Sequence, residues 1–286
     1  MRATLRALSD ARWTVVAFAV AAFGLTLLQS VAFFRMAGHT FAERAAFGYS
    51  LLLQATASEA LYPPPVHPET AAGYLELRAL WPLGILLAAW AMVSATKTTT
   101  AAIGPRAAAF GVSTSLAAAA TCVGVLVGVS SGGESVSGTG LVEAGVLLVA
   151  LAMACYAICI VIAQITSDPA LLATGVMLTL FFVNSLGRVF ASLETARWLS
   201  PFRYYELSAP LPPGGRFDVG GFVILLAIAA IGITLAFVLS AGRIGHASLV
   251  RAATYDPAHA TLLNIPVVRN LYPHRLALGA WCIAFA

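Results

Sequence analysis

Six long blocks of apolar residues divide the chain into segments of membrane-spanning length. Crossing the hydrocarbon core of a bilayer takes about 20 apolar residues in a helix. Lipid offers no hydrogen-bond partner to a free backbone group, so each block is predicted to be helical. The pattern therefore predicts an all-α, polytopic transmembrane bundle. The predicted spans are Trp13–Phe34, Ala79–Ala95, Ala107–Val129, Leu141–Ile165, Ala170–Val189 and Val219–Ala241.

The longest polar connection lies between the first two spans and covers Arg35–Arg78. Its earlier part, Thr40–Ala60, carries apolar residues at helical spacing between two glutamates, which predicts a helix lying at the membrane interface. The run Tyr62–Pro65 contains three consecutive prolines and is predicted to be stiff and extended.

Two helix starts are marked by a capping residue followed by proline. An Asp or Ser side chain can accept a hydrogen bond from a free N–H of the first turn, and proline fits that turn because it lacks the N–H. Asp168-Pro169 therefore predicts the start of the fifth span. Ser200-Pro201 predicts a short helix that runs through Leu207, outside the spans.

The composition supports a membrane protein and argues against a soluble domain. Hydrophobic residues make up 60% of the chain and charged residues only 10%, whereas soluble domains have about 45–50% apolar and about 25% charged residues. The net charge of +4 is better explained by basic residues in cytoplasmic loops than by a nucleic-acid partner.

The placement of basic residues predicts the orientation. With the N-terminus inside, nine of the sixteen Lys and Arg residues fall in inner segments, against three of the twelve acidic residues. Lys and Arg favour cytoplasmic loops, so the N-terminus and Lys97–Arg106 are predicted inside, with Glu134 and Arg197–Arg216 outside. The single lysine among sixteen basic residues, with abundant Ala and Gly, favours a bacterial cell membrane.

The sequence shows none of the local patterns that catalysis, metals or cofactors require. It has no Gly-x-x-x-x-Gly-Lys-Ser/Thr loop for a nucleotide phosphate, and its five histidines have no partner at metal-ligand spacing. We therefore predict no catalytic, metal or cofactor-binding residues in this chain. The four cysteines lie in apolar blocks, where we expect packing thiols: Cys122, Cys155, Cys159 and Cys282.

Polar side chains within spans are costly and often functional. Gln29 lies near the outer end of the first span, and Asn184 and Arg188 lie four residues apart near the outer end of the fifth. These three residues are candidates for a transport path. The alternative is that Arg188 reaches to the interface and that Asn184 bonds a neighbouring helix. The pair Gly124 and Gly128 predicts close helix packing.

The stretch from Glu143 to Gly245 resembles the permease subunits of type-2 ABC exporters. The resemblance rests on RWLSPFRYYELSAPLPPGG at Arg197–Gly215 and, upstream, on Tyr156–Gln164 and Phe182–Arg188. In that family a similar Leu-Ser-Pro-Phe element precedes the last span. The resemblance implies a separate ATP-binding subunit on the cytoplasmic side. The inner loop KTTTAAIGPRA departs from the Glu-rich stretch that the family often has there.

Two groups of residues acquire expected roles from this resemblance. The inner loop is the candidate for coupling to the ATPase, through Lys97, Thr98, Pro105 and Arg106. The outer segment is expected to cover the exit as a lid, with its aromatic rings at the outer interface. This lid segment comprises Ser200, Pro201, Phe202, Tyr204 and Tyr205.

The two ends of the chain are weakly similar. Leu5–Phe23 and Val268–Ala286 both place basic residues before an apolar run. We expect a six-span domain over 1–245, a cytoplasmic linker over 246–275, and an incomplete seventh span over 276–286. The chain would then continue into a second six-span half, as in fused permeases of drug and polyketide-antibiotic export. Without such a continuation, the second half would be another copy of the chain.

These observations favour the permease of an ATP-driven exporter that moves a hydrophobic or amphipathic molecule, with ATP hydrolysis in its partner. The alternatives are a secondary carrier and a membrane assembly protein that transports nothing. A carrier is expected to hold an acidic residue inside a span, and no predicted span has one near its middle.

Overall fold

The computed structural model describes residues 2–38, 40–57, 59–98, 102–166 and 168–242. Within these residues the chain is an all-α bundle, as predicted, and six helices are long and apolar enough to cross a membrane. These helices identify a multi-pass membrane protein. The predicted linker 246–275 and the predicted seventh span 276–286 lie outside the described residues.

Nine α-helices follow one another along the described chain, with one π-helical turn and two short 3-10 segments. The π-turn Glu76–Leu80 joins α3 to α4, and the 3-10 segments Ala191–Leu193 and Thr195–Leu199 precede α8. The helices are α1 (Arg2–Met36), α2 (Phe41–Ala57), α3 (Ala71–Leu75), α4 (Trp81–Thr96), α5 (Ile103–Ser131), α6 (Gly138–Ile165), α7 (Pro169–Leu186), α8 (Pro201–Glu206) and α9 (Val219–Gly242).

The start of the second span differs from the prediction. The helix that crosses here begins at Ala71 rather than Ala79, because α3, the π-turn and α4 run on without a break. Pro82, near the start of the predicted span, lies inside this helix. Proline clashes with the carbonyl four residues earlier, and the π-turn just before it relaxes that contact, with Trp81 N–H bonded to Glu76 O.

The third and fifth spans also have different limits. α5 begins at Ile103, so Pro105 and Arg106 belong to its first turn and the predicted inner loop is shorter. α7 ends at Leu186, three residues before the predicted end at Val189. Gly187 caps α7, and its N–H bonds back to Val183 O at 3.1 Å.

Both predicted helix caps are confirmed. Asp168 Oδ1 accepts a hydrogen bond from Leu171 N, and Pro169 is the first residue of α7. Ser200 Oγ accepts from Phe202 N at 3.3 Å, and Pro201 is the first residue of α8. α8 ends at Glu206, one residue before the predicted end. The helix predicted over Thr40–Ala60 is α2.

α6 lies at the centre of the bundle and packs against α4, α5, α7 and α9. Its side chains Leu148, Leu151 and Tyr156 are fully buried. α1 packs mainly on α5, and Gly124 and Gly128 lie at this contact, as the Gly-x-x-x-Gly spacing predicted. A Cβ at Gly124 would lie 2.0 Å from Thr26 Oγ1, so only glycine lets the two helices approach this closely.

The long helices alternate in direction, so their connections gather at two ends. One end holds Glu134, which accepts from Ala71 N and pairs with Arg44, and it also holds Glu206. We call it the Glu206 end. The opposite end holds Lys97 and Arg106, and we call it the Arg106 end. The basic-residue pattern predicts that the Glu206 end faces outwards.

Candidate functional site

The Glu206 end holds a buried cluster of charged side chains around one carboxylate. Glu206 Oε1 accepts hydrogen bonds from Arg188 Nη2 and from Asn184 Nδ2, the latter at 2.7 Å. Glu206 Oε2 accepts from Arg197 Nη2 at 2.8 Å. The side chains of Arg188 and Glu206 are only 3% exposed. We call these four residues the Glu206 cluster.

Local sequence explains how three separate segments meet here. Asn184 and Arg188 share one face at the end of α7, as their spacing predicted. Arg197 comes from the second 3-10 segment, and Glu206 is the last residue of α8. Arg197 Nε also donates to Asn184 Oδ1 at 3.5 Å, so the Asn184 amide is hydrogen-bonded to both Glu206 and Arg197. Each segment therefore contributes at least one charged or amide group.

Arg188 links the cluster to the first loop and to the second span. Its Nη1 donates to Glu59 O at 2.9 Å, and its guanidinium lies 5.2 Å from the centroid of the Trp81 ring. A cation held over an aromatic face is attracted by the ring electrons. Arg188 is thus buried and bonded within the protein rather than extended to the interface.

A pocket of about 670 Å3 opens beside this cluster. Glu59 and Pro63–Val66 line one side, and the second span contributes Glu76, Leu77 and Trp81. The 197–216 segment lines the other side. Four arginines lie on the walls: Arg188, Arg197, Arg203 and Arg216.

Glu76 is an acidic residue that the sequence analysis placed in a loop and the structure places in a membrane-spanning helix. It lies in the π-turn and lines the pocket, and its Oε2 accepts from Leu211 N at 3.2 Å. Within the described part of the chain it forms no ion pair. The prediction missed it because the predicted second span began at Ala79 and left Glu76 in the preceding loop.

Two of the three aromatic residues of the predicted lid segment, Phe202 and Tyr205, point into the bundle. Phe202 is fully buried and packs edge-on against Trp81 and Phe181, so it does not sit at the interface as expected. Tyr205 is also buried, and its hydroxyl donates to Leu80 O at 3.2 Å. Burial, with the Glu76 carboxylate nearby, raises the pKa of Tyr205 well above its ordinary value, so this hydroxyl keeps its proton.

Tyr204 differs from its two aromatic neighbours on α8. It is only partly buried, and its hydroxyl donates to Trp198 O at 2.6 Å. The Trp198 ring in turn lies under the Arg203 guanidinium, 5.0 Å from it. The predicted lid segment is therefore anchored on two sides, by its rings in the core and by Tyr204 at the surface.

Gln29 does not belong to the same site as Asn184 and Arg188. Its Oε1 accepts from Tyr74 OH at 2.9 Å, and it lines a separate cavity of about 320 Å3 between α1, α2 and the second span. Arg78 and Gln54 line that cavity too and are bonded to each other. Of the three candidate path residues, Arg188 lines the large pocket, Asn184 is buried in the Glu206 cluster and Gln29 lines the other cavity.

The candidate coupling residues meet at the Arg106 end. Arg106 Nη1 donates to Lys97 O at 2.6 Å, and Thr98 Oγ1 lies 3.2 Å from Tyr156 OH. Pro105 lies in the first turn of α5, beside Arg106. Lys97 and Arg106 line a cavity of about 300 Å3 whose apolar walls include Trp90 and Phe110.

Four aromatic rings, which we call the ring row, pass from helix to helix beside this cavity. Phe18 of α1 stacks on Trp90 of α4 with ring centroids 4.2 Å apart. Trp90 meets Phe110 of α5 edge-on at 5.3 Å, and Phe110 stacks on Tyr156 of α6 at 4.6 Å. The ring row connects α1, α4, α5 and α6.

The described residues contain no group of three or more His, Cys, Asp or Glu side chains placed to hold a metal ion. The six membrane-length helices of the described chain and its charged pocket define a multi-pass membrane protein with a pocket at one end. In comparisons with known proteins, no family model and no curated protein matches this chain.

Proposed function

We propose that this chain is the transmembrane permease subunit of an ATP-driven ABC exporter in a bacterial cell membrane. Its cargo is a hydrophobic or amphipathic small molecule, carried outwards past the Glu206 end. The observation that carries this proposal is the pocket of about 670 Å3 at that end. Pockets of about 300–1,000 Å3 suit small molecules, whereas a membrane anchor needs none.

The α8 helix supports this reading because of where it lies. Tyr205 and Glu206 line the pocket, while Phe202 is packed between Trp81 and Phe181. A movement of α8 that widened the pocket would have to break the contacts of Glu206 with two arginines. We propose that α8 is the lid of the exit and that the Glu206 cluster holds it closed.

The Arg106 end supports a partner on the cytoplasmic side. Thr98 bonds Tyr156, the last ring of the ring row, and Arg106 bonds the carbonyl of Lys97. A movement of this short connection would be transmitted to α4 and α5, which it joins, and to α6, which Thr98 contacts through Tyr156. We propose that an ATP-binding subunit binds here, through Lys97, Thr98, Pro105 and Arg106. A second six-span half completes the transporter, either from the same polypeptide or from a second copy.

A secondary carrier is the second candidate, and Glu76 is the observation that favours it. A carboxylate inside a membrane-spanning helix is costly and is often part of an ion pathway. Glu76 lines the pocket, and no described basic residue pairs with it. A proton bound and released there would couple the pocket to a proton gradient instead of to ATP.

One transport experiment separates the two candidates. The chain is isolated from its native membranes with its bound subunits and reconstituted in vesicles loaded with a fluorescent amphipathic dye. We expect ATP to drive dye transport, and we expect transport to stop when the P-loop lysine of the ATP-binding partner is replaced. Purified chain without a partner should not hydrolyse ATP, because it has no phosphate-binding loop.

The control for the carrier is a protonophore together with Glu76→Gln. An exporter driven by ATP keeps working when the proton gradient is collapsed. Transport that needs the gradient, ignores ATP and fails in Glu76→Gln would replace the exporter proposal with the carrier. A preparation of the chain alone that hydrolyses ATP would contradict both.

A further inference from the structure

Four arginines and three glutamates, Glu59, Glu76 and Glu206, line the pocket at the Glu206 end, so the arginines outnumber the carboxylates by one. Glu206 is shared by Arg188 and Arg197, so this trio alone keeps one positive charge in excess. The Glu76 carboxylate accepts a hydrogen bond from the Leu211 N–H. Arg203 and Arg216 also line the pocket, and neither forms an ion pair with any described residue.

Two guanidinium groups at the pocket have unused hydrogen-bond donors. The Nε atoms of Arg188 and Arg203 are buried and have no hydrogen-bond partner among the described residues. A buried donor without a partner is costly, and the Arg188 side chain is almost fully enclosed. Arg216 donates its Nε to Leu207 O at 3.0 Å, which orients its guanidinium on the exposed rim of the pocket.

The arginines are also close enough to disfavour one another's charge. Partial burial lowers the pKa of Arg203, and the positive charges of Arg197 and Arg188 lower it further, against the opposing effect of Glu206 and Glu194. Arg203 remains charged at any physiological pH, because the ordinary pKa of arginine is above 12. The positive charge in the pocket is therefore only partly compensated.

We propose that this pocket binds the anionic group of an amphipathic molecule, a carboxylate or a phosphate, with Arg203 and Arg216 as its principal donors. Guanidinium groups bind such planar or tetrahedral anions through paired N–H donors. Trp81 and the Pro63–Pro65 run supply an apolar wall for the rest of the molecule. The inference names the ligand class of the proposed transport site and rests on that proposal only for the pocket's place on the path.

Two sources could supply such an anion at a membrane surface. One is a free amphipathic acid, the expected cargo, and the other is the headgroup of an anionic phospholipid. Both would present an oxyanion to Arg203 and Arg216. The test therefore measures binding in nanodiscs of phosphatidylcholine alone and in nanodiscs that also contain phosphatidylglycerol.

The probe is 4-(trifluoromethyl)benzoate, with 4-(trifluoromethyl)benzamide as its neutral match, followed by 19F NMR on the full chain. Empty nanodiscs give the background from lipid. In phosphatidylcholine nanodiscs we expect saturable binding of the benzoate and binding of the benzamide that is at least about tenfold weaker. Hydrogen bonds to charged groups support a factor of roughly ten or more.

Three variants assign the binding to the pocket. Arg203→Gln with Arg216→Gln should weaken benzoate binding by about tenfold or more and leave benzamide binding unchanged. Arg216→Gln alone changes only an exposed side chain, so it tests the proposal even if the double variant misfolds. The matched control is Arg35→Gln, an exposed arginine at the same end that does not line the pocket.

Loss of benzoate binding in phosphatidylglycerol nanodiscs would support the site and identify a lipid headgroup as a competing ligand, and unchanged binding would support a free acid. Equal binding of benzoate and benzamide, or an equal loss in Arg35→Gln, would overturn the proposal. The measurement uses neither ATP nor a partner subunit, so its failure leaves the exporter proposal to its own test.

Discussion

At the scale of single residues, the main feature is one carboxylate that serves two guanidinium groups. Glu206 is buried and bonded to Arg188, Arg197 and Asn184. Removing one partner of a buried ion pair leaves an uncompensated charge, which is more costly than the pair itself is favourable. Substitution of Glu206 should therefore lower the stability of the protein more than substitution of any other residue of the pocket.

We predict that Glu206→Gln destabilises the protein by about 3–5 kcal/mol, because two buried arginines then face each other without a counter-ion. Unfolding in detergent, followed by circular dichroism, measures the change. Glu194→Gln is the matched control, since this glutamate is exposed between the two 3-10 segments and forms no ion pair with a described residue. Equal effects of the two substitutions would show that the cluster contributes no special stability.

Residue spacing found only part of this site. Asn184 and Arg188 could be placed on one face because four residues separate them on a single helix. Their partner Glu206 lies on another short helix, and nothing in local spacing connects it to them. Charge balance was the available signal, since buried arginine requires a partner, but the sequence offered Glu194 and Glu206 equally.

At the scale of elements, local sequence correctly predicted two helix starts but misplaced the start of the second span. Asp168 and Ser200 cap helices because the hydrogen bonds involved lie within three residues. Pro82 follows the same local rule but lies within a longer helix, since a π-turn accommodates its ring. That turn depends on packing around Glu76, including the Leu211 N–H from a segment over 100 residues away, which no local rule contains.

The contact between α1 and α5 yields a prediction at this scale. An Ala Cβ at position 124 would meet Thr26 Oγ1 and Phe23 O, and one at position 128 would meet Ser30. Overpacking of this kind costs about 1–3 kcal/mol. We expect Gly124→Ala to lower the unfolding temperature in detergent, and Gly124→Ala with Gly128→Ala to lower it further.

The matched control for this contact is Gly24→Ala, also on the α1 side of the bundle. A Cβ there has no heavy atom within 4 Å, so only the intrinsic helix preference for alanine should act. Gly24→Ala should leave stability unchanged or raise it slightly. If Gly124→Ala behaved like Gly24→Ala, the close approach of α1 and α5 would not be needed for stability.

At the scale of the whole molecule, the count of six spans followed from hydropathy alone. Lipid imposes this pattern, because each crossing needs a long apolar helix whatever its neighbours are. The order of packing around α6 was not predictable in this way, since all six spans are apolar on most faces. The basic-residue pattern also predicts how the bundle is oriented in the membrane.

We predict that the Glu206 end faces outwards. In a background without native cysteines, Ser135→Cys should react with a membrane-impermeant maleimide on intact cells, and Lys97→Cys should react only after the cells are opened. Both positions are exposed at opposite ends of the bundle, so access depends on the membrane alone. The reverse labelling pattern would invert the orientation and place the arginine pocket in the cytoplasm.

The ring row places one tryptophan where its fluorescence can report on helix packing. Trp90 is one of five tryptophans, and it lies between Phe18 on α1 and Phe110 on α5. The fluorescence of an indole depends on the rings and the solvent around it. The emission wavelength and intensity of Trp90 should therefore depend on whether α1 is packed against it. The protein thus carries a natural fluorophore at the place where its first helix meets the others.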